Sequence, residues 1–269
     1  MATKHRRSSS LAMRHSLVRS GIPSFDAILN GGIPVGTLLL VEESTNDIAS
    51  VFTKAFLGEG AVNSDLLLLY SENHHNSYIP DIRRIGNSSL RGESTVRYET
   101  FSSNSKIREP YAIDLSTIIN DCKTLVQKTL NCTEIDFYHK LWQQVKEDLH
   151  TNFDGKSDMT VSRVIIKSMF SSNWPLQSLS EIFEFLKSIK TLLRSKNAVC
   201  IITVPISAIN DKLKQLLFQS SDIIILENFF AEGQNSRISI YKAPKSTRIS
   251  DNSAYTLVKS LGTTILEYL

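Results

Sequence analysis

The stretch from Ser20 to Ser50 reads S-G-I-P-S-F-D-A-I-L-N-G-G-I-P-V-G-T-L-L-L-V-E-E-S-T-N-D-I-A-S and holds the residues whose spacing bears most directly on chemistry. Gly31, Gly32 and Gly36 precede an apolar run at Thr37–Val41. The turn after such a strand is where a phosphate loop, G-x-x-x-x-G-K-[ST], would cradle a nucleotide: glycine lets backbone N–H groups close on phosphate, and lysine counters its charge. Counted from the strand, those positions hold Glu43, Ile48, Ala49 and Ser50. Glu43 sets a carboxylate against phosphate, and like charges in a confined site repel. Ile48 blocks the close backbone approach that glycine permits, and Ala49 carries no charge. Only the hydroxyl of Ser50 survives. These residues predict no cofactor of the chain's own and no autonomous ATP hydrolysis.

A second part of such chemistry is also missing. The apolar run Val161–Ile166 ends in Lys167-Ser168, where nucleotide hydrolysis would use an acid that supports Mg²⁺, and no carboxylate follows until Glu181. No metal site is expected either. The six histidines include the pair His74-His75 but no H-E-x-x-H spacing, and a solvated loop accounts for that pair. Cys122, Cys132 and Cys200 form no C-x-x-C pair and suit a reducing compartment.

The elements that must position these residues alternate. Thr37–Val41, Leu66–Tyr70, Val161–Ile166, Val199–Val204 and Ile223–Leu226 are short apolar runs of strand type. Ser94–Phe101 reads as a further strand, and Ile238–Tyr241 as an edge or outer one. Helices are expected over Asp47–Leu57 with Asp47 as cap, Asp114–Val126, Glu134–His150, Pro175–Leu193 with Pro175 in its first turn, and the segment carrying Ile209, Leu213, Leu216 and Leu217. The Pro175–Leu193 stripe comprises Leu176, Leu179, Ile182, Phe183, Leu186, Ile189 and Leu193. Ser71–Glu93 reads as irregular apart from a helical turn near Ile79–Ile85, and Asn152–Asp158 as a loop. Strand–helix–strand order implies an α/β fold, a mostly parallel sheet with helices on both faces, and ligand loops at the strands' carboxyl ends. Those ends are Glu42–Asn46, Lys167–Asn173 and Pro205–Asn210.

The small-Gly pair, the Asp five residues on and the Gly-Gly-x-Pro-x-Gly run resemble the segment that precedes the phosphate loop in RecA-like ATPases. With Glu42-Glu43, C-I-I-T-V-P and S-D-I-I-I-L-E-N-F, they resemble the family of the fourth subunit of the Elongator complex, which modifies wobble uridines of tRNA. The resemblance runs from about Ser20 to about Pro244 and thins over Tyr78–Thr160, where Val96-Arg97-Tyr98 keeps half of a family motif. It implies a RecA-like three-layer fold without a phosphate loop, and no covalent catalysis by this chain. It also implies a heterohexameric ring with the fifth and sixth subunits, contact with the catalytic Elongator subcomplex and with tRNA, and ATP only at interfaces between subunits. In such a ring the strand-end loops face the central opening, which makes Lys167, Lys212 and Lys214 the candidate tRNA contacts. Phe170 and Trp174 lie nearby as stacking groups, against a reading in which Trp174 packs in the core. The alternatives are a RecA- or KaiC-type ATPase and an accessory protein of DNA recombination.

Composition sets the frame. The 269 residues, 41% of them hydrophobic, suffice for one large core, so residues 20–269 are expected to form a single domain. No run of apolar residues is long enough to cross a membrane. The net charge of +3 is concentrated at the start: residues 1–19 carry Lys4, Arg6, Arg7, Arg14 and Arg19 and no acid, leaving 25 basic residues against 27 acidic ones. That serine-rich segment is expected to be a disordered basic tail, with a partner or nucleic-acid arm and a mitochondrial presequence as the other readings. Arg6-Arg7-Ser8-Ser9 would suit a basophilic kinase. Cytoplasm and nucleus are the expected locations.

Overall fold

A strand covered on both faces must be apolar on both, and the runs L-L-L-V, L-L-L-L-Y and V-C-I-I-T-V accordingly form interior strands of one sheet. The computed structural model describes residues 17–44, 48–72, 79–84, 95–98, 111–119, 122–151, 161–175, 177–228, 236–243, 253–260 and 263–268. The chain runs through β1 (Leu17–Val18), α1 (Pro23–Ile28), β2 (Ile33–Pro34), β3 (Leu38–Glu42), α2 (Ile48–Asn63) and β4 (Leu66–Ser71). Then come β5 (Ile79–Arg84), β6 (Thr95–Tyr98), β7 (Tyr111–Ile119), β8 (Leu125–Thr129), α3 (Phe137–Thr151) and β9 (Ser162–Ile166). It continues through α4 (Leu179–Ser195), β10 (Ala198–Val204), α5 (Asp211–Ser220), β11 (Ile223–Asn228), β12 (Ser236–Lys242), β13 (Ser253–Ser260) and β14 (Thr263–Tyr268).

The main sheet has nine strands in the order β14-β13-β12-β11-β3-β10-β9-β4-β8. Strands β8, β4, β9, β10, β3 and β11 are parallel, and β12, β13 and β14 extend the sheet antiparallel. Alternation along the parallel strands makes two cores. Leu39, Val41, Leu67, Leu69, Ile165 and Ile201 pack under α1 and α2. Leu38, Leu40, Leu68, Val164, Ile166 and Ile202 pack under α3, α4 and α5. Helix, sheet, helix is the expected three-layer α/β architecture.

Several elements differ from expectation. Asp114–Val126 is not a helix: Tyr111, Ile113, Leu115, Thr117 and Ile119 alternate with a period of two, β7 pairs with β5 and β6, and β8 pairs parallel to β4. The helical turn near Ile79–Ile85 is strand β5, consistent with Pro80 driving the residue before it to extended backbone. Strand β12 is interior, because the alternating segments S-A-Y-T-L-V-K-S and T-T-I-L-E-Y add β13 and β14 beyond it. Helix α4 starts at Leu179, not Pro175, since Ser178 and Glu181 form a reciprocal capping box worth about 1 kcal/mol. Its buried face includes Phe185, while Phe183 is 45% exposed. Leu17 and Val18, assigned to the basic tail, pair with Ile33–Pro34, and Val18 is buried. Residues 1–16, the Asp47 cap, His74-His75, Leu176 and the Asn152–Asp158 loop lie outside the described residues.

The Ser-Gly…Asp pattern now has its cause. Asp26 Oδ1 accepts from the Ser20 N–H at 2.8 Å, closing the turn into α1. Gly21 has φ +91° and passes so near α2 that a Cβ would lie 2.0 Å from the Ala55 carbonyl oxygen. Lys242 on β12 donates to the carbonyls of Phe218 (2.9 Å) and Gln219 (3.3 Å), closing the carboxyl end of α5.

At the amino edge of the sheet, Arg163 of β9 is only 1% exposed. Its Nε donates to Asp65 Oδ2 at 2.7 Å, and its Nη1 donates to the carbonyls of Arg19 (2.7 Å) and Phe56 (3.0 Å). A Cβ on Gly60 would come within 2.5 Å of Arg163 Cδ, so α2 carries glycine where the side chain passes. Replacing Arg163 by Met leaves a buried carboxylate and two carbonyls without their donor. The expected loss is about 3–5 kcal/mol, read as a lower urea midpoint at unchanged slope; a midpoint within error of the parent chain would refute it.

Candidate functional site

Parallel strands bring their carboxyl ends to one edge, and the register places Glu42 opposite Val204, and Ile166 opposite both Ile202 and Tyr70. The residues just beyond form the site. The Glu43 N–H donates to the Val204 carbonyl at 2.8 Å, and the Lys167 N–H to the Tyr70 carbonyl at 2.8 Å. After β9 the backbone turns sharply, with Ser168 and Phe170 at φ 54° and 68°.

This turn is tied to acids on both sides. Ser168 Oγ donates to Glu43 Oε1 at 2.8 Å, and Thr203 Oγ1 donates to the same oxygen. Thr203 Oγ1 itself accepts from the Ser168 N–H at 2.8 Å, so backbone N–H, hydroxyl and carboxylate form one polarised chain. On the other side Ser171 Oγ donates to Glu72 Oε1, and Asn173 Nδ2 to Glu72 Oε2 at 3.0 Å. Glu43 therefore brings the chain's own negative charge to the strand end where a phosphate loop would receive a ligand's. Ile48 and Ala49 are buried in the first turn of α2, and Ser50 is half-buried there; residues 45–47 of the turn lie outside the described set.

Glu42, one residue earlier, accepts from the Glu227 N–H at 2.8 Å through Oε2. Burial pushes its carboxyl above the usual range, the Glu227 hydrogen bond opposes that, the Glu227 charge adds to it and Lys214 opposes it.

The three candidate lysines sit on this edge on two parts of the chain. Lys167 is half-buried at the end of β9. Lys212 is exposed in the first turn of α5. Lys214 lies in the same turn with its ammonium 3.6 Å from Asp211 Oδ1 and close enough to Glu42 to act on its charge. Trp174 takes its core reading: it is 5% exposed and stands edge-on to Phe137 at 5.0 Å between centroids. Phe170 is half-buried against Tyr138 and Trp174. Thr203 and Glu72 were missed from sequence. The signal for Thr203 was a lone hydroxyl in an otherwise apolar buried run; Glu72 gave none. Among the described residues no group of His, Cys, Asp and Glu could hold a metal ion, and no helix is long and apolar enough to cross a membrane.

A family model described as PAXNEB protein matches residues 6–85 and 84–248. The chain belongs to the PAXNEB protein family. Its relatives include the protein named Elongator complex protein 4 in Xenopus laevis, 27% identical over 276 residues that cover 79% of this chain and 66% of that one. The Homo sapiens protein of the same name is 24% identical over 269 residues, covering 79% and 63%. In Mus musculus the identity is 46% over 56 residues, 20% of this chain and 13% of that one. The PAXNEB chain thus spans just under two thirds of the length of its frog and human relatives. Among solved structures, the KaiC-like protein PH0186 of Pyrococcus horikoshii OT3 superposes with a TM-score of 0.54 at 17% identity, over 93% of this chain and 98% of that one. The fold is RecA-like, and the family resemblance read from Ser20–Pro244 is borne out.

Glu42 supplies a test of the strand-end electrostatics. A carboxyl held above its unfolded value binds its proton more tightly in the fold, so its contribution to stability declines as pH rises through the ordinary glutamate range and beyond. Glu42→Gln keeps an oxygen for the Glu227 N–H and removes the charge. It is expected to raise the urea midpoint at neutral pH and to flatten that decline; a lower midpoint at neutral pH would contradict the assignment.

Proposed function

We propose that this PAXNEB chain is a non-catalytic subunit of an Elongator complex. On this reading it joins the fifth and sixth subunits in a heterohexameric ring, binds tRNA there, and supports wobble-uridine (U34) modification by the catalytic subcomplex in cytoplasm and nucleus. The observation that carries the reading is Glu43, whose carboxylate is held by Ser168 and Thr203 at the strand end where a nucleotide phosphate would need positive charge. A scaffold of this kind keeps the shape of a ring-forming ATPase and gives up the chemistry. Nucleotide, where the ring holds any, then belongs to a neighbour's loop at an interface.

The likeness to a KaiC-like protein favours a second reading, an ATPase of the same fold. The two separate on turnover: the purified chain is expected to hydrolyse no ATP, and turnover abolished by Ser50→Ala would establish the ATPase instead. Two further proteins of similar size are expected to co-elute with the tagged chain in fixed proportion, since such interfaces are wide; a monodisperse monomer at tens of micromolar would count against the ring.

Lys167 and Lys212 are assigned to tRNA phosphates, with Lys214 weakened for that role by Asp211. In the assembled ring, Lys167→Ala with Lys212→Ala is expected to lower tRNA affinity about tenfold and the salt slope by about 2, with assembly unchanged. Unaltered affinity and slope would remove these loops from the RNA path.

A further inference from the structure

On the helical face of the sheet opposite α2, helices α3 and α4 lie side by side and leave between them an open groove of about 390 Å³. Its lining includes Asp136, Tyr138, Trp142, Glu181, Glu184 and Phe185. Two kinds of chemistry meet there. Asp136, Glu181 and Glu184 contribute carboxylates, while Tyr138, Trp142 and Phe185 contribute aromatic surface. Glu181 commits Oε2 to the cap of α4. Trp142 already attracts an ammonium from its own helix, with Lys146 Nζ 5.0 Å from the ring centroid.

The second observation is independent of charge. Tyr138 is 2% exposed, and its hydroxyl finds no hydrogen-bond partner among the described residues; the Trp142 indole N–H is likewise buried and unpartnered. Leaving a buried donor unmade is costly, and a buried tyrosine hydroxyl or indole N–H ordinarily has a partner. Tyrosine is protonated at neutral pH in any case, and burial raises the Tyr138 hydroxyl further, so it is a donor there.

We propose that the α3–α4 groove docks a partner polypeptide through an arginine or lysine side chain, the cation meeting the carboxylates and aromatic faces while a peptide carbonyl accepts from Tyr138 or Trp142. The carboxylates oppose a nucleic-acid backbone, which separates this surface from the lysine-bearing strand ends. A free polyamine matches the acids but brings no acceptor for the two donors, so a peptide fits both halves of the groove. The docking does not depend on the ring or on tRNA.

The chain contains two tryptophans, which makes indole N–H resonances of the full-length ¹⁵N-labelled protein a direct readout, with Trp142→Phe giving the assignment. The probe is acetyl-Gly-Arg-Gly-amide. It is expected to shift the Trp142 signal saturably below about 10 mM, with the citrulline analogue at least about fivefold weaker. Glu181→Gln with Glu184→Gln is expected to weaken the arginine peptide about tenfold. Tyr138→Phe is expected to weaken it several-fold while raising the thermal midpoint of the free chain, because it deletes an unmade donor; a purely structural Tyr138 would leave peptide affinity unchanged. The proposal is overturned if the citrulline or a glutamate peptide binds as well as the arginine peptide, if spermidine matches the peptide, or if no shift appears at that concentration.

Discussion

Arg163 stands in a strand whose neighbours Val164, Ile165 and Ile166 are wholly buried, and its guanidinium lies beneath α2, shared between Asp65, the Phe56 carbonyl and the Arg19 carbonyl. It also faces the Phe56 ring at 4.6 Å. Four parts of the chain meet on it: β9, the carboxyl half of α2, the turn into β4, and the segment entering α1. A charge taken out of water is tolerated only when nearly all its donors are used and an acid balances it. The Arg19 carbonyl is one residue from Ser20, whose N–H is held by Asp26, and Gly21 admits the close approach of α2. The amino edge of the sheet is thus set by one polar knot, and the carboxyl edge inherits its alignment through the parallel register.

At that carboxyl edge hydroxyls and carboxylates replace the arrangement expected around a nucleotide. Thr203 is the hinge of the pattern, because it accepts from the turn after β9 and donates to the residue after β3. The same contacts hold the loop carrying Lys167 in a left-handed turn at Ser168, so the lysine's base is fixed by acids on either side. Helix α5, which carries Lys212 and Lys214, is held at its start by Asn210 Oδ1 accepting from the Leu213 N–H at 2.9 Å and at its end by Lys242.

Five of the six parallel strands of the sheet were readable as apolar runs, because a strand buried on both faces has little choice of residue; half-buried β8 was not. The failed phosphate loop was readable because it is a matter of residue type at fixed spacing. Alternation was overlooked in Tyr111–Ile119, where polar Asp114 and Ser116 gave the segment a helix-like composition, and in Ser253–Ser260, which moved β12 from edge to interior. The start of α4 turned on a capping box that a nearby proline overshadowed. The contacts of Thr203 and Glu72 depend on strands distant in sequence coming together, and no local pattern announces them. Trp174 was settled by Phe137 and Tyr138, which helix α3, earlier in the chain, supplies.

The Glu43 contacts bear on what it would take to build a phosphate loop at this strand end. Changing Ile48 to Gly and Ala49 to Lys would rewrite the letters of the motif, yet Ala49 is buried in the apolar core, where a new ammonium is costly. Glu43 would meanwhile stay held at the strand end by Ser168 and Thr203. Removing Glu43 as well would strand two hydroxyls, one of them in a buried strand. Restoring the motif letter by letter is therefore opposed by contacts already present at this strand end.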